Sequence, residues 1–488
     1  MGMAVTGVPR ATAVAAREVA APARLARSAL TRRALVGPDA DRWFADRSAA
    51  ADLAVRHVPL DGLTGWHTDP RTGDLAHDSG RFFAVRGIEV TVPDQEVSHW
   101  NQPIIHQPEV GVLGILVREF GGVPHLLMQA KVEPGNVNGV QLSPTVQATR
   151  SNYTGVHRGR SVPYLSHFLD VPGERVLVDV RHSEQGAWFY RKRNRNVVVE
   201  VDEDLPVLDG FRWFTLGEVH QMLARDNAVN MDARTVLACL PFAGEGIAAA
   251  LAGDGGGRGD GFRAALARSC EPGAGSAHTT GELLRWISEI RTRVDLRTAP
   301  RPLAGLSDWR HHPDRVSHRT GAFFDVVGVA VHAPDREVAH WAQPMIRPCG
   351  LGLAAFLVTR IGGVLHALVH ARAEAGCADV VELAPTVQCT PANYRHLPAR
   401  ARPRYLDAVL GARPERVRLA VTQSEEGGRF YHARTRHVVV EVDAPDGAET
   451  PRHRWVALHQ FVDLLRHSHY VNIQARSLVA CLYGLAVR

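Results

Sequence analysis

The stretch LSPTVQATRSNY, Leu142 to Tyr153, recurs as LAPTVQCTPANY at Leu383 to Tyr394, 241 residues later in the chain. The Pro-Thr-Val-Gln run, a Thr two residues on and the Asn-Tyr pair are identical in both copies. Backbone propensity does not require this order of hydroxyl, amide and phenol groups, and a packed core tolerates many apolar substitutes. The repeated polar run therefore indicates a site that was built twice.

The repeat extends over most of the chain. Matched residues lie 241 positions apart without a gap from Gly80 to Tyr190, and the offset is 243 before this region and 242 after it. A period above 200 residues indicates paired domains rather than a solenoid of short repeats. We therefore divide the chain into a tail (1–36), a first module (37–240), a linker (241–280) and a second module (281–488).

The tail and the linker are assigned from composition. Residues 1–36 carry six arginines against one acid and many alanines, which predicts a disordered, solvated segment. Residues 241–280 contain the run GDGGGRGDG, and glycine loses the most conformational freedom on folding. A phosphate-binding loop is the alternative for this run, but the strand before it and the Gly-Lys-Ser/Thr after it are missing.

Each module is rich in predicted strands. The segments 111–119 and 123–132 predict a hairpin about Gly121-Gly122. Apolar periodicity predicts helices at 41–55, 216–224 and 232–240. Strands mixed with flanking helices predict an α+β fold with mixed sheets.

Composition argues against several classes of protein. The hydrophobic fraction of 45% and the charged fraction of 22% are typical of soluble globular chains, and no apolar run approaches the ~20 residues of a membrane span. The net charge of +5 is spread along the chain without a nucleic-acid recognition motif. Six cysteines without a Cys-x-x-Cys pair fit a reduced, cytoplasmic protein. The scattered histidines do not have metal-ligand spacing, so we predict no metal site.

Several segments resemble the NDP-hexose 2,3-dehydratases of deoxysugar biosynthesis. They are the Gly-Trp pair ending at Trp66, HWNQPII at 99–105, QAKVEPGN at 129–136 and the repeated stretch. The resemblance implies removal of water across C2 and C3 of a dTDP-4-keto-6-deoxyhexose. It also implies two fused Nudix-like modules, usually paired as a homodimer, in the biosynthesis of antibiotic sugars. The Nudix metal box, Arg-Glu-x-x-Glu-Glu, is absent, so metal-dependent pyrophosphate hydrolysis does not carry over.

The dehydration needs a base, an acid and stabilisation of an enolate, and in principle it requires no cofactor. Lys131 and Glu133 alternate on a predicted strand and would face the same side. Lys131 is one of only two lysines, and we assign it to the enolate, with Glu133 or Glu184 as base. Surface ion pairs are the alternative reading. Tyr190 or His182 would protonate the leaving hydroxyl.

Two groups of residues are candidates for substrate binding. Trp66 and Trp309 occupy matched positions and could stack on a pyrimidine; a core position explains them equally well from sequence alone, and the resemblance favours ligand binding. The loop after the PTVQ motif offers hydroxyls, an amide and a phosphate-binding guanidinium. Its candidate residues are Thr149, Arg150, Ser151, Asn152 and Tyr153 in the first copy and Ala392, Asn393 and Tyr394 in the second. Turn capping is the alternative for Asn152 and Tyr153.

The second copy has lost several of these groups. Arg150 corresponds to Pro391, and His182 corresponds to Gln423. We therefore place the full chemistry in the first module. A Nudix-like hydrolase of nucleoside diphosphates and a non-catalytic nucleotide-sugar binding protein are the alternatives. The expected product, a 3,4-diketo sugar nucleotide, would require a 3-ketoreductase as a functional partner.

Overall fold

A computed structural model describes residues 21–93, 95–153, 161–252, 261–334, 336–443 and 447–487. The strands in the first half are β1 (Ala54–Val58), β2 (Trp66–Thr68), β3 (Leu75–His77), β4 (Ala84–Thr91), β5 (His99–His106), β6 (Gly111–Phe120), β7 (Val123–Val132), β8 (Val140–Ser143), β9 (Val146–Ala148), β10 (Val176–Ser183), β11 (Arg193–Glu200) and β12 (Phe211–Thr215). The second half repeats them as β13 (Arg297–Arg301), β14 (Trp309–His311), β15 (Arg315–His318), β16 (Phe324–His332), β17 (His340–Pro348), β18 (Gly352–Ile361), β19 (Val364–Ala373), β20 (Val381–Ala384), β21 (Val387–Cys389), β22 (Val417–Ser424), β23 (Arg434–Glu441) and β24 (His453–Ala457).

Four pairs of helices recur in the two halves. The helices are α1 (21–30), α2 (Ala40–Ala50), α3 (Arg150–Tyr153), α4 (Leu216–Leu223), α5 (Met231–Ala238), α6 (Ile247–Ala252), α7 (Gly261–Ser269), α8 (Thr280–Arg293), α9 (Leu406–Leu410), α10 (Leu458–Leu465) and α11 (Ile473–Ala486). The recurring pairs are α1 and α7, α2 and α8, α4 and α10, and α5 and α11. The predicted helices near 41, 216 and 232 are confirmed as α2, α4 and α5, although α2 ends at Ala50 and the chain continues into β1. Within the described chain, no helix is long and apolar enough to cross a membrane.

Each module contains a large mixed sheet. In the first module its order is β10-β11-β6-β7-β12, with β8 on β7 and β9 on β6, and the second module has the order β22-β23-β18-β19-β24 with β20 and β21 in matching places. The pairs β6–β11 and β18–β23 are parallel, and the other pairs are antiparallel. The hairpin β6–β7 turns at Gly121 and Gly122, both at positive φ, as predicted. These sheets with their helices confirm the α+β class and the tandem duplication.

The two small sheets exchange a strand between modules. Strand β1 of the first module pairs with β16 of the second, and β13 of the second pairs with β4 of the first. Glycines at the centre of the receiving strands make room for the incoming chain. A Cβ at Gly87 would lie 2.7 Å from the Arg301 carbonyl oxygen, and one at Gly328 would lie 2.6 Å from that of Val58. The exchange fixes the two small sheets against each other.

Helices from both modules share one core between the large sheets. Residues of α4, α5, α10 and α11 belong to a single apolar cluster. Two fully buried arginines cross it: Arg234 donates to the Ser424 carbonyl oxygen at 2.8 Å, and Arg476 donates to that of Ser183 at 2.5 Å. Each arginine therefore satisfies backbone carbonyl oxygens of the opposite module.

The prediction of a disordered tail is wrong for residues 21–36, which begin with helix α1. Its residues Leu25, Ala26 and Ser28 are buried, and the Ser28 hydroxyl donates to the Pro124 carbonyl oxygen at 2.6 Å. The linker prediction is also wrong for residues 261–269, which form helix α7. The Ser269 hydroxyl of this helix donates a hydrogen bond of 2.5 Å to the Leu365 carbonyl oxygen. Alanine and arginine are good helix formers, so composition alone misled the assignment. Residues 1–20 and most of the glycine run lie outside the described residues.

Candidate active site

A cavity of about 940 Å³ lies between the two small sheets and is lined by both modules. The first module contributes Ala54, Arg56, Thr64, Trp66, His77, Ser79, Phe82, Phe83, Glu133 and Pro134. The second module contributes residues 330–332, 336–338 and 340–343 together with Gly428 and Arg429. Its volume falls in the range of small-molecule sites. The strand exchange places these residues on facing walls, so neither module forms the cavity alone.

An aromatic wall is anchored by Trp66. Its indole N–H donates to the Ala342 carbonyl oxygen at 2.7 Å, and its ring centroid lies 4.7 Å from that of Phe83. The guanidinium carbon of Arg429 lies 4.3 Å from the Phe83 ring centroid. A cation held over an aromatic face keeps its charge in a defined place. This wall therefore combines apolar surface with a fixed positive charge.

Glu133 follows strand β7 and lines the cavity while remaining 4% exposed. Its Oε1 accepts a hydrogen bond of 2.8 Å from Nε2 of Gln147, the last residue of the PTVQ motif. Its Oε2 is enclosed without a hydrogen-bond partner among the described residues. Such an oxygen costs free energy unless a ligand group satisfies it, which marks the position as a candidate for chemistry.

A buried charge cluster surrounds Glu133. It consists of Lys131, Glu133, Glu184, Lys192, Asp232, Glu426 and Arg429, linked by mutual electrostatic interactions. The chain contains only two lysines, and both belong to the cluster. Burial and like charges inside one small volume are the arrangement that perturbs pKa values at functional sites.

Burial raises the pKa of three acids in the cluster, Glu184, Asp232 and Glu426, and lowers the pKa of its cations. Burial lowers the pKa of Lys131, and it lowers that of Lys192 to about 8 although Glu184 opposes the change. Burial, reinforced by Glu133, raises the pKa of Glu426 to about 7. Burial and the charge of Glu184 raise the pKa of Asp232 well above its ordinary value. The cluster therefore holds groups that can gain or lose protons near neutrality.

Two members of the cluster arrive from the second module. The loop after β22 carries Glu426 and Arg429, and it is hydrogen-bonded to the loop after β7. The Gly135 N–H donates to the Gly427 carbonyl oxygen at 2.7 Å, and the His432 N–H donates to the Gly135 carbonyl oxygen at 2.9 Å. A Cβ at Gly135 would collide with the Phe430 carbonyl oxygen, so the close approach requires glycine.

The matching region of the second module carries different groups. Glu374 corresponds to Glu133, and its Oε1 is held by Arg372 Nε at 2.9 Å and by Gln388 Nε2 at 2.9 Å. Trp188 takes the place of Arg429, and its ring centroid lies 4.7 Å from that of Phe430. Gln185 takes the place of Glu426. The backbone is repeated, but the cluster of charges is not.

The family model of the NDP-hexose 2,3-dehydratases matches residues 38–240 and again residues 280–482. The chain belongs to the NDP-hexose 2,3-dehydratase family. This confirms the resemblance found in the repeated segments, and the family is named for a hydro-lyase activity. The two matched regions coincide with the two structural modules.

Three relatives carry the name dTDP-4-dehydro-6-deoxy-alpha-D-glucopyranose 2,3-dehydratase. One from Saccharopolyspora spinosa is 50% identical over 444 residues, which cover 91% of this chain and 90% of the relative. One from Streptomyces violaceoruber is 46% identical over 447 residues, covering 91% of this chain and 96% of the relative. One from Amycolatopsis orientalis is 43% identical over 455 residues, which cover 92% of this chain and 91% of the relative.

The PTVQ motif of this dehydratase-family chain joins two strands through its threonine and contacts Glu133 through its glutamine. Thr145 donates to the Leu127 carbonyl oxygen and accepts from the Leu116 N–H at 3.0 Å, so it joins β6 to β7. Thr386 makes the same pair of bonds in the second module. Gln147 is half-buried and reaches the Glu133 carboxylate. The motif is therefore repeated in part because both hairpins need its threonine.

The structure brings together four residues predicted from sequence. Lys131, Glu133 and Glu184 belong to the buried charge cluster, and Trp66 and Glu133 line the same cavity. Lys131 donates to the Gln147 carbonyl oxygen at 3.2 Å. Glu184 accepts from Asn194 at 2.6 Å, and its pKa is raised by burial. Strand alternation and the rarity of lysine predicted the proximity of Lys131 and Glu133, and their catalytic roles stay a prediction.

The described part of the predicted loop after the PTVQ motif, residues 149–151, lies beside the cluster but does not line the cavity. Ser151 donates to Glu109 Oε2 through its backbone N–H at 2.9 Å and through its hydroxyl at 2.7 Å, and Thr149 Oγ1 lies 3.2 Å from the Ser151 hydroxyl. The Glu109 carbonyl oxygen in turn accepts from Lys192. Arg150 is exposed on α3. The side chains of Asn152 and Tyr153 lie outside the described residues.

The remaining predicted residues lie away from the cavity. Trp309 is 6% exposed and donates its indole N–H to the Asn101 carbonyl oxygen at 2.9 Å. Asn393 Oδ1 accepts from the Phe323 N–H at 3.2 Å, and Ala392 lies against Gly350. Tyr394 lies beside Arg372, and burial raises its pKa. The Tyr190 hydroxyl lies 3.5 Å from the Thr298 hydroxyl. Nε2 of His182 lies 3.1 Å from the Leu465 carbonyl oxygen.

Sequence reasoning did not assign roles to four members of the cluster, which are Lys192, Asp232, Glu426 and Arg429. A signal for them was present, because their counterparts in the other copy are Ala433, Gln474, Gln185 and Trp188. Each pair replaces a charge by a neutral group. In the described part of the chain, three or more His, Cys, Asp or Glu side chains nowhere converge in a group that could hold a metal ion.

Proposed function

We propose that this chain is a 2,3-dehydratase of dTDP-4-dehydro-6-deoxyglucose. The names of relatives at 43–50% identity support the substrate. The observation that carries the assignment to this site is that Glu133 lines a 940 Å³ cavity and that its enclosed Oε2 has no hydrogen-bond partner among the described residues. A carboxylate in that state fits a general base that waits for a C–H proton.

The chemistry begins at C3 of the sugar, which is acidified by the neighbouring C4 ketone. Glu133 accepts the C3 proton, and the C–H electron pair forms an enolate. The C2–O bond then breaks with formation of a C2–C3 double bond, and the leaving hydroxide takes the proton held by Glu133 and departs as water, which restores the carboxylate. The resulting enol gains a solvent proton at C2 and becomes a 3,4-diketone. Lys131 stabilises the negative charge that develops near Glu133.

The cavity also offers groups for the nucleotide. Trp66 presents an aromatic surface for thymine, and stacking of a base contributes roughly 1–3 kcal/mol. On the opposite wall, the rings of His332 and His340 stack at 4.4 Å, and Arg336 lies on the same side. We assign these cationic and imidazole groups to the diphosphate, because guanidinium groups bind phosphate through paired hydrogen bonds. Binding energy at the nucleotide then positions the sugar over Glu133.

The test is turnover of dTDP-4-dehydro-6-deoxyglucose in D₂O, with the vicinal diketone trapped by an aromatic diamine. We expect a trapped product that carries deuterium at C2. Release of a nucleoside monophosphate would indicate a Nudix-like hydrolase instead. Recovery of unchanged sugar nucleotide from a tight complex would indicate a binding protein. Either of these outcomes would overturn the proposal.

Three further features belong to the same proposal. The diketone is reactive, so a 3-ketoreductase is expected to consume it, and adding such an enzyme with NADPH should increase the yield of stable product. We also propose that the chain acts in the cytoplasm and that two copies associate as a homodimer. Sedimentation at micromolar concentration should give twice the mass of the chain.

A further inference from the structure

Glu426 is a half-buried residue with no assigned role in the proposed chemistry. It lies in the loop between β22 and β23, and its Oε1 accepts a hydrogen bond of 2.9 Å from the Gly428 N–H. Its Oε2 is fully enclosed and has no hydrogen-bond partner in the described residues. One oxygen is therefore fixed by its own loop, and the other is unsatisfied.

This carboxyl lies against the loop of Glu133. A Cβ at Gly427, the next residue, would lie 2.9 Å from Cβ of Glu133. Each of the two glutamates has one enclosed oxygen without a partner. Two carboxylates in one enclosed volume resist simultaneous ionisation, because their repulsion adds to the cost of burial.

The other charged groups that face Glu426 do not offset its repulsion with Glu133. Glu184 approaches from β10 and Asp232 from α5, while Lys192 precedes β11 and Arg429 lies on the same loop as Glu426. Glu426 therefore faces three acids, which are Glu133, Glu184 and Asp232, and two cations, which are Lys192 and Arg429. Burial and Glu133 raise the pKa of Glu426 to about 7, consistent with a retained proton.

The second copy shows that the fold does not require an acid at this position. Gln185 matches Glu426 in the repeat, and its amide donates to Glu425. A glutamine therefore fits the repeated loop. The acid is a feature of the first module's site rather than of the repeated backbone.

We propose that Glu426 is a positioning residue that holds one proton in the site, so that it adds no second negative charge beside Glu133 where the C3 proton is removed. This inference rests on the proposed function. A second negative charge beside Glu133 would oppose formation of the anionic enolate. The dehydratase should therefore lose kcat as Glu426 ionises, and glutamine, a permanently neutral isostere, should prevent that loss.

The experiment compares the pH dependence of kcat for the wild-type chain, Glu426→Gln, Glu426→Asp and the exposed control Glu415→Gln. Wild type and control should decline above pH 7, and Glu426→Gln should not. One unit above the Glu426 pKa, at pH 8, the ratio of Glu426→Gln to wild type should be about tenfold larger than at pH 6. Glu426→Asp should retain a declining limb. Identical profiles for Glu426→Gln and wild type would overturn the inference while leaving the proposed function intact.

A second measurement does not depend on turnover. The folded chain retains a proton at Glu426 that the unfolded chain loses near pH 4.5, so the stability contributed by this group is lost as the pH rises from 4.5 to about 7. Glu426→Gln removes that contribution, so the thermal midpoint of wild type should fall relative to that of Glu426→Gln over this range. An equal change of thermal midpoint with pH in the two proteins would contradict a proton held at Glu426. Absence of dehydration by wild type at every pH would instead reject the proposed function.

Discussion

Glu133 and Glu374 occupy matching places in the two modules, yet their surroundings differ. Each accepts a hydrogen bond from the glutamine of its PTVQ motif, at 2.8 Å and 2.9 Å. Glu374 is also paired with Arg372, whereas Oε2 of Glu133 has no partner within the described chain. The duplicated backbone therefore holds a carboxylate oxygen without a partner among the described residues in one copy and an internal ion pair in the other.

The surroundings of each glutamate differ in part because side chains from the opposite module differ. The loop that faces Glu133 carries Glu426 and Arg429, and the matching loop that faces Glu374 carries Gln185 and Trp188. The Gly376 N–H donates to the Gly186 carbonyl oxygen at 2.7 Å, the same contact that joins Gly135 to Gly427. The duplication therefore preserved the backbone contacts of this interface but not the side chains that face the two glutamates.

The largest expected effect comes from removing the proposed base. Glu133→Gln should lower kcat by roughly 10²–10⁴-fold, because general-base catalysis contributes about that much. Glu374→Gln is the matched control, and it should keep kcat within about threefold of wild type, since Glu374 belongs to an ion pair. Steady-state kinetics of both variants measure the contrast. Equal losses in the two variants would show that both copies take part in catalysis.

A smaller effect is expected from the glycines that join the modules. Gly135→Ala and Gly376→Ala each place a methyl group against a carbonyl oxygen of the opposite module, so both should lower the thermal midpoint by similar amounts. Only Gly135→Ala should shift Glu133 relative to the cavity. We expect about a 10²-fold loss of kcat for it, because misplacement of about 1 Å has that cost. Similar kcat values in the two variants would place the chemistry elsewhere.

The smallest effect concerns the two matched tryptophans. Trp66→Ala should raise KM about tenfold through loss of base stacking, with a smaller change in kcat. Trp309 is 6% exposed in the apolar core of the small sheets, so Trp309→Ala should lower the free energy of unfolding by about 3–5 kcal/mol with KM unchanged in the folded protein. Nucleotide titration and chemical denaturation distinguish the two roles. A larger KM change for Trp309→Ala would reverse the assignment.

The sequence was informative where a feature is local or repeated. The 241-residue offset predicted two modules, and the spacing around Gly121-Gly122 predicted the β6–β7 hairpin. Lys131 and Glu133 were identified because alternate strand positions face one side. In each of these cases, nearby residues determine the arrangement.

The sequence was less informative where contacts cross the chain. Glu426 lies 293 positions from Glu133, and only the exchange of β1 and β13 and the pairing of the two loops reveal that they meet. Trp66 and Trp309 are equivalent in sequence, but Arg429 lies on the Phe83 ring beside the first, whereas Trp188 packs against Phe324 beside the second. Helix α1 was misassigned because its partner surface belongs to the β6–β7 hairpin about a hundred residues later.

The central claim is that Glu133 alone removes the C3 proton. The most direct measurement uses substrate with deuterium at C3 and follows its release into water during turnover by the wild-type chain, Glu133→Gln and Glu374→Gln. The account predicts one deuteron released per product for wild type and Glu374→Gln, and release slowed at least 10²-fold for Glu133→Gln. Undiminished release by Glu133→Gln, or loss of release in Glu374→Gln, would contradict it.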